Sequence, residues 1–295
     1  MLGPASLALS MTLVGSYVGM SRWLLAVLPL FVLAGLRFAI AAACMLPWLR
    51  RQPGEAALQP ADARRLCAAG FIGTFLFSLC MLQGIALSGA VAAGIVMATL
   101  PGVVALFARV WLKEAVTRRT LVGIGFAVVG IALAGFEGSD GLPATPAAWL
   151  GLLLLLGAVA CEACYVVLGR QLAQAVSPQR ITALVNLWGL AFTAPLALWQ
   201  WHTAPAPALA PLHVIVLLYY ALAASVVSVW LWMRGVRHVS AARAGIFTAC
   251  LPVTAALVGV ALGESMGGAK AAALVLALVG VVLAGSTPAD GAERR

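Results

Sequence analysis

Two charged residues stand in the middle of long apolar stretches, where an ionised side chain is costly to keep. Arg37 lies in the stretch 28–48 and Glu162 in the stretch 147–169. In membrane helices, such residues face the interior of the bundle and pair with each other, with backbone carbonyls or with a solute. We therefore expect Glu162 to accept a proton, to bind the ammonium group of a solute, or to neutralise Arg37 as an ion pair.

Polar and aromatic side chains on other apolar stretches are candidates for the same site. Tyr165 follows Glu162 by three residues, so the two share one face of a helix. The other candidate binding residues are Tyr17, Gln83, Met97, Asn186, Trp230 and Thr248. Aromatic rings among them would suit an apolar or aromatic solute, and the amide and carbonyl groups would fix its orientation.

Two prolines, Pro101 and Pro252, interrupt apolar stretches at corresponding points. Proline has no backbone N–H, and its ring crowds the carbonyl four residues earlier. The carbonyls of Met97 and Thr248 are therefore expected to lose their helical partners, and both helices are expected to bend. Because freed carbonyls can line a polar cavity, both prolines are predicted to act as a gate or hinge. The alternative is a kink whose carbonyls are satisfied by a neighbouring helix.

These elements correspond because the chain contains one unit twice. Gly84 and Gly235 lie 151 residues apart, and the same offset relates Ala93-Gly94-Ile95 to Ala244-Gly245-Ile246 and Leu100-Pro101 to Leu251-Pro252. Beyond a one-residue deletion, the next corresponding pairs are Glu114 with Glu264 and Gly130 with Gly280. A fixed offset over such residues indicates a duplication. Each glutamate is expected to cap the helix that follows it and to pair with Arg118 or Lys270.

The composition excludes a soluble protein. Of the 295 residues, 63% are hydrophobic and 9% are charged, whereas soluble domains carry about 25% charged residues. Apolar runs of about 20 residues fit membrane helices and not the short alternating strands of a barrel. We predict an all-α integral membrane protein with ten transmembrane helices, over residues 3–21, 28–48, 66–86, 89–112, 119–136, 147–169, 178–200, 212–234, 240–262 and 267–286.

The ten predicted spans divide into two halves of five. Residues 1–136 are predicted to form the first five-helix repeat, 137–146 the linker, 147–286 the second repeat and 287–295 a tail. Because five is an odd number, the second repeat must enter the membrane in the opposite sense. Inverted-topology repeats of this kind are typical of transporters that bind substrate near the midplane.

Basic residues indicate which side of the membrane each loop faces. With the amino terminus inside, the predicted cytoplasmic loops and tail receive Arg50, Arg51, Arg64, Arg65, Lys113, Arg118, Arg119, Arg170, Arg180, Arg234, Arg237, Arg294 and Arg295. The opposite side receives Arg22 and Lys270. Lys and Arg are enriched in cytoplasmic loops, so both termini are predicted to be cytoplasmic. The net charge of +9 is then a topology signal, and no nucleic-acid partner is expected.

The sequence contains no recognisable constellation for enzymatic or metal chemistry. His202, His213 and His238 lie in loops or at helix ends, and neither HExxH nor clustered carboxylates occur. Cys161 and Cys164 have CxxC spacing but no basic neighbour to stabilise a thiolate, so they are predicted to be packing residues. We expect no cofactor, no bound metal and no enzymatic activity.

The pattern resembles the EamA family of the drug/metabolite transporter superfamily, whose members are ten-helix exporters. The resemblance covers residues 1–286 and is carried by Leu36-Arg37, by Leu-Pro followed by glutamate (Leu100-Pro101 to Glu114, Leu251-Pro252 to Glu264), and by Gly130 and Gly280. Within that family the sequence looks most like the bacterial aromatic amino-acid exporters. It differs from the short four-helix multidrug members, because residues 14–17 lack their first-helix glutamate.

The resemblance implies a monomeric exporter in the cytoplasmic (inner) membrane of a bacterium. It would carry small amphipathic metabolites, chiefly aromatic or neutral amino acids, by alternating access through a central cavity between the repeats. Its expected partners are this small-molecule substrate and the lipid bilayer, with protons as a further partner if Glu162 takes over coupling. The alternatives are a multidrug or other metabolite exporter of the same fold, a channel, and a membrane-embedded enzyme.

Overall fold

All regular structure in the described residues is helical. The computed structural model describes residues 2–51, 55, 58–112, 118–135, 145–172, 176–204, 209–236 and 247–285. The α-helices are α1 (Leu2–Leu25), α2 (Leu30–Cys44), α3 (Pro60–Gly70), α4 (Phe77–Ser88), α5 (Ala90–Met97), α6 (Leu100–Leu112), α7 (Arg118–Gly135), α8 (Pro146–Leu172), α9 (Pro178–Thr203), α10 (Pro211–Leu222), α11 (Ser228–Val236), α12 (Cys250–Ala261) and α13 (Gly268–Gly285). A short 3₁₀ helix, Leu46–Leu49, follows α2.

Length and composition identify four or five clear membrane spans among these helices. Four continuous helical segments qualify: Pro60–Ser88, Pro146–Gly169, Pro178–Thr203 and Pro211–Trp232. The pair α5 and α6, bent by 41°, makes a fifth if it crosses as one span. Shorter apolar helices cover Leu30–Cys44, Leu121–Leu133, Cys250–Ala261 and Gly268–Leu283. The fold is thus that of a multi-pass helical membrane protein, with fewer clear spans than the ten predicted.

One predicted span is shorter in the structure, and another is described only in part. The stretch 28–48 begins with a turn and ends as a helix at Cys44, before the 3₁₀ turn that contains Pro47. In the stretch 240–262, residues 240–246 lie outside the described residues, so only residues 247–262 are seen, which include α12. The first-repeat boundary, the linker 137–146 and the tail 287–295 lie largely or wholly outside them as well.

Both prolines lie in the first turn of a new helix and not in the middle of a continuous one. The helix α5 ends at Met97, and α6 starts at Leu100 with Pro101 as its second residue. Pro252 is the third residue of α12. A proline in the first turn of a helix removes no helical hydrogen bond, because the backbone N–H of any residue at that position would have no partner within the helix. The predicted bend is present between α5 and α6, but the proline follows the break instead of kinking a helix.

The carbonyl of Thr248 keeps a hydrogen-bond partner, contrary to the sequence prediction. The backbone N–H of Leu251 donates to it at 3.1 Å. This i+3 bond replaces the i+4 bond that Pro252 cannot donate. Thr248 therefore offers no freed carbonyl to a ligand.

Two continuous spans each contain one π-helical turn that the sequence analysis missed. Phe71–Leu76 joins α3 to α4, and Ala223–Val227 joins α10 to α11. The repeat offset of 151 carries residue 71 onto residue 222 and residue 76 onto residue 227, so the π turns are equivalent. Such turns often mark functional sites.

Helices of the two repeats interleave, with α1 near the centre. α1 packs on α12, α11, α5 and α10, while α2 packs on α9 and α4 on α8. The contact between α1 and α12 is close: a methyl group on Gly19 would stand 2.6 Å from Val258 Cβ, and one on Gly15 would stand 2.8 Å from Thr254 Cβ. The small residues Gly15 and Gly19 therefore let α1 and α12 approach each other closely.

Candidate functional site

The predicted residue Arg37 lies at the centre of an aromatic cluster. It occupies the middle of α2 and is only 8% exposed. Its guanidinium carbon lies 5.1 Å from the ring centroid of Phe38 and 5.8 Å from those of Tyr17 and Tyr220. Aromatic faces attract a cation electrostatically, so the three rings stabilise a charge that is otherwise costly inside a membrane protein.

The two tyrosines come from different repeats. Tyr17 belongs to α1 and Tyr220 to α10, and their rings meet edge to face at 5.6 Å. Both side chains are buried, at 7% and 1% exposure. The cluster thus lies where the predicted repeats meet, and it presents aromatic surface beside a fixed cation.

A π turn positions Arg37 through a hydrogen bond. The Nε of Arg37 donates to the Oγ of Ser225 at 3.1 Å, and Ser225 is buried within the π turn after α10. Sequence reasoning missed Ser225 as a site residue. The signal available was the repeat offset, which relates Ser225 to Thr74, a second hydroxyl residue in the equivalent π turn.

The predicted residues Glu162 and Tyr165 lie together on α8 and are partly buried. Glu162 is close enough to Arg37 for their opposite charges to attract, and close enough to Tyr17 and Tyr165 to repel negative charge there. Among the described residues, however, none hydrogen-bonds or ion-pairs with Glu162, so its carboxylate lies more than 4.0 Å from the Arg37 nitrogens. A direct ion pair, one of the three expectations for Glu162, does not form.

The other predicted binding residues divide between buried and exposed positions. Met97 is 5% exposed at the end of α5, and Thr248 is partly buried. Asn186 is 6% exposed, and its Nδ2 donates to the Thr182 carbonyl at 2.9 Å within the same helix. Gln83 and Trp230 are exposed, Trp230 at 44%. The structure therefore brings together Tyr17, Arg37, Glu162 and Tyr165, and no contact among the described residues joins Gln83 or Asn186 to them.

Glu264 forms a second polar centre, with partners that the sequence analysis did not predict. Its Oε1 accepts the Ala90 N–H at 2.7 Å and its Oε2 accepts the Val91 N–H at 3.0 Å. The Nη1 of Arg22 lies 3.5 Å from Oε1. Glu264 is 6% exposed. It therefore caps α5, a helix of the other repeat, instead of the helix that follows it in sequence.

Lys270, the expected partner of Glu264, is buried elsewhere. Its Nζ donates to the Ser265 carbonyl at 3.3 Å, and the residue is 1% exposed. The expectation for Glu114 and Arg118 is untested, because Glu114 lies outside the described residues. The sequence predicts that Glu264 caps a helix, but it does not indicate that this helix, α5, belongs to the other repeat.

The fold and the site together define a membrane transporter. Apolar helices cross repeatedly, two sets of elements are related by a fixed offset, and a charged aromatic cluster lies between helices of both sets. That combination is the architecture of secondary carriers built from repeats. In the described residues, no group of three or more His, Cys, Asp or Glu could hold a metal ion.

Comparison with known proteins gives the family. The EamA-like transporter family matches residues 1–136 and again residues 149–286. Two curated relatives from Bacillus subtilis (strain 168) align over most of the chain. The uncharacterized transporter YetK is 34% identical over 88% of this chain and 79% of its own. The uncharacterized transporter YyaM is 27% identical over 85% of this chain and 83% of its own.

A solved crystal structure shares the fold. It is 20% identical, covers 94% of each chain and gives a TM-score of 0.64. The chain therefore belongs to the EamA-like transporter family, as the repeated Leu-Pro and glutamate pattern predicted. It is a transporter and not an enzyme.

Proposed function

We propose that this transporter exports small amphipathic metabolites, and that aromatic and neutral amino acids are its substrates. The observation that carries the proposal is the central cluster: the rings of Tyr17 and Tyr220 meet edge to face, and Glu162, which no described residue binds, interacts electrostatically with Tyr17. An aromatic side chain fits against the rings, and an ammonium group fits the acid. Other amphipathic metabolites or drugs of similar shape are the alternative cargo.

We propose alternating access as the mechanism. The cluster is built from α1 and α2 of one repeat and α8 and α10 of the other. Rocking of one repeat against the other would open the cluster to each side in turn. The break between α5 and α6 and the start of α12 are the expected hinges, because Gly94 in α5 packs directly on Pro252: a methyl group on Gly94 would stand 3.3 Å from its backbone.

The proposed topology has ten spans, both termini in the cytoplasm and a monomeric carrier in the bacterial inner membrane. Two ion pairs near the ends of the predicted spans support this topology. Arg22 pairs with Glu264, both predicted on the outer side, and Arg180 pairs with Glu55 at 3.2 Å, both predicted on the inner side. Cysteine substitution in each loop, labelled from one side of sealed vesicles, tests the topology directly.

Transport is tested with purified protein in proteoliposomes preloaded with unlabelled amino acid. We expect uptake of labelled tryptophan by exchange, with competition from phenylalanine and tyrosine. Empty liposomes and an unrelated amino acid such as lysine are the controls. If no aromatic or neutral amino acid exchanges while the protein remains folded, the substrate class is wrong and other amphipathic metabolites are tested in the same format.

Proton coupling through Glu162 is tested by imposing a pH gradient. If the acid couples transport to protons, the gradient drives accumulation of tryptophan in the wild-type protein, and Glu162→Gln abolishes the dependence on the gradient. Exchange that ignores the gradient in the wild type indicates a facilitator, in which Glu162 only binds the ammonium group. Gradient-dependent flux that persists in Glu162→Gln would show that protons couple elsewhere.

A further inference from the structure

The guanidinium of Arg37 has donors left over after its contacts in the protein are counted. Its Nε is bonded to Ser225, and among the described residues no other group accepts a hydrogen bond from it. The terminal nitrogens are nevertheless not sealed in the core. In the described residues, the side-chain nitrogen and oxygen atoms that are fully enclosed and have no hydrogen-bond partner all belong to residues other than Arg37: they are Ser78 Oγ, Ser177 Oγ, Arg180 Nε and Thr193 Oγ1. The terminal nitrogens of Arg37 therefore remain reachable, although the residue as a whole is 92% buried.

A purely structural role does not explain this arrangement. A structural arginine inside a helix bundle is normally neutralised by a carboxylate or by several carbonyls. Here the nearby acid, Glu162, stays more than 4.0 Å away, and the surrounding groups are the rings of Phe38, Tyr17 and Tyr220. No described residue accepts a hydrogen bond from the edge that the two terminal amino groups of Arg37 form. That edge is the part which binds a carboxylate in bidentate fashion.

We propose that Arg37 is the anchor for the carboxylate of the transported substrate. The two terminal amino groups of Arg37 would donate paired hydrogen bonds to the carboxylate, and the ring of Tyr17 or Tyr220 would contact the apolar part. Ser225 acts as a positioning residue, because its bond to Nε fixes the plane of the guanidinium. The site thus selects amphipathic carboxylates, and this deepens the proposed function on which it rests.

The position of Glu162 explains how one site can hold a zwitterion. The ammonium and carboxylate of an amino acid are about 3 Å apart, and a hydrogen bond at each end adds about 2.8 Å. The substrate therefore spans a gap of roughly 9 Å between a cation and an anion. Arg37 and Glu162 interact electrostatically but form no direct ion pair, so a zwitterion could lie between them. A carboxylate without an ammonium group would still bind Arg37.

The proposal predicts which parts of a ligand matter. The probes are tryptophan, indole-3-propionate, which lacks the ammonium group, and tryptamine, which lacks the carboxylate. A further pair, 3-phenylpropionate and 3-phenylpropanol, differs only in charge at one end. Binding to purified wild-type protein is measured by calorimetry. We expect tryptophan to bind at least tenfold more tightly than tryptamine, and 3-phenylpropionate at least tenfold more tightly than 3-phenylpropanol.

Variants assign this preference to Arg37. Arg37→Gln should weaken the binding of indole-3-propionate at least tenfold and change the affinity for tryptamine by less than twofold. Arg37→Lys keeps the charge but loses the bidentate edge, so an intermediate loss is expected. Ser225→Ala should weaken the binding of carboxylates a few fold without changing the affinity for tryptamine. Arg109→Gln removes an exposed cation from α6 and should change nothing.

The outcomes separate this proposal from the proposed function. Tryptophan binding that is equal in wild type and Arg37→Gln overturns the anchor and leaves amino-acid transport standing. Arg37-dependent binding of 3-phenylpropionate without tryptophan binding or transport supports the anchor and overturns the amino-acid proposal. If Arg37→Gln does not fold, the ligand pairs on the wild type decide: equal affinity for 3-phenylpropionate and 3-phenylpropanol overturns the anchor.

Discussion

The cap that Glu264 places on α5 gives a quantitative prediction for stability. Glu264→Gln keeps the shape of the side chain but leaves one acceptor oxygen for two buried N–H groups, those of Ala90 and Val91. Losing one charge-assisted hydrogen bond costs about 1.5–3 kcal/mol. Removing a negative charge from a helix amino terminus costs about 0.3–1 kcal/mol more. We expect a total loss of about 2–4 kcal/mol in the free energy of unfolding.

Arg22→Gln is the matched control for this substitution. The Arg22 side chain is 37% exposed and its nitrogen lies 3.5 Å from Oε1 of Glu264. An ion pair of that exposure contributes about 0–1 kcal/mol. Helix content is followed by circular dichroism while detergent-solubilised protein is titrated with sodium dodecyl sulfate. If the two variants lose equal stability, or Glu264→Gln stays within about 0.5 kcal/mol of wild type, the capping explanation is wrong.

Three further predictions follow from the glycines and prolines. Gly15→Ala should lower both stability and transport, because the added methyl group would press on α12. In the control Gly169→Ala the methyl group meets nothing within 4 Å, so this variant should be more stable by about 0.5–1 kcal/mol. Thermal unfolding and tryptophan exchange are measured for both variants, and equal effects would contradict the close contact of Gly15 with α12. Gly89→Ala should cost about 1–3 kcal/mol in the same titration, because φ is +89° and a methyl group would stand 2.9 Å from the Glu264 carboxylate; a loss below 0.5 kcal/mol would refute the strain. Pro252→Ala should slow exchange in proteoliposomes while membrane insertion is unchanged, and loss of insertion instead would assign the proline to folding.

Much of the fold could be predicted from the sequence, because the repeat depends on residues with few substitutes. Leu100-Pro101 and Leu251-Pro252 lie at the starts of α6 and α12, so the offset correctly identifies equivalent elements. The exact form of the break could not be predicted. A proline in an apolar run is equally compatible with a kink and with the first turn of a new helix, and only the tertiary contacts decide.

The candidate site was predicted in part. Arg37 and Glu162 were recognisable because a charge in an apolar helix has few stable environments. Gln83 and Trp230 were chosen by residue type alone, because a helix that is apolar all round does not reveal which face is buried, and both are exposed in the structure. Ser225 was missed, since a serine in a membrane helix is usually satisfied by its own backbone.

The paired π turns bear on the history of the molecule. A π turn is an α-helix with one inserted residue, and each insertion is expected to arise separately unless it is inherited. Phe71–Leu76 and Ala223–Val227 occupy equivalent places in the two halves. The simplest history places the insertion in a single ancestral half, before the gene doubled. Among the described residues, Ser225 of the second turn orients the buried Arg37, whereas the equivalent Thr74 of the first turn bonds to the backbone carbonyls of Gly70 and Val185, so the two turns now have different roles.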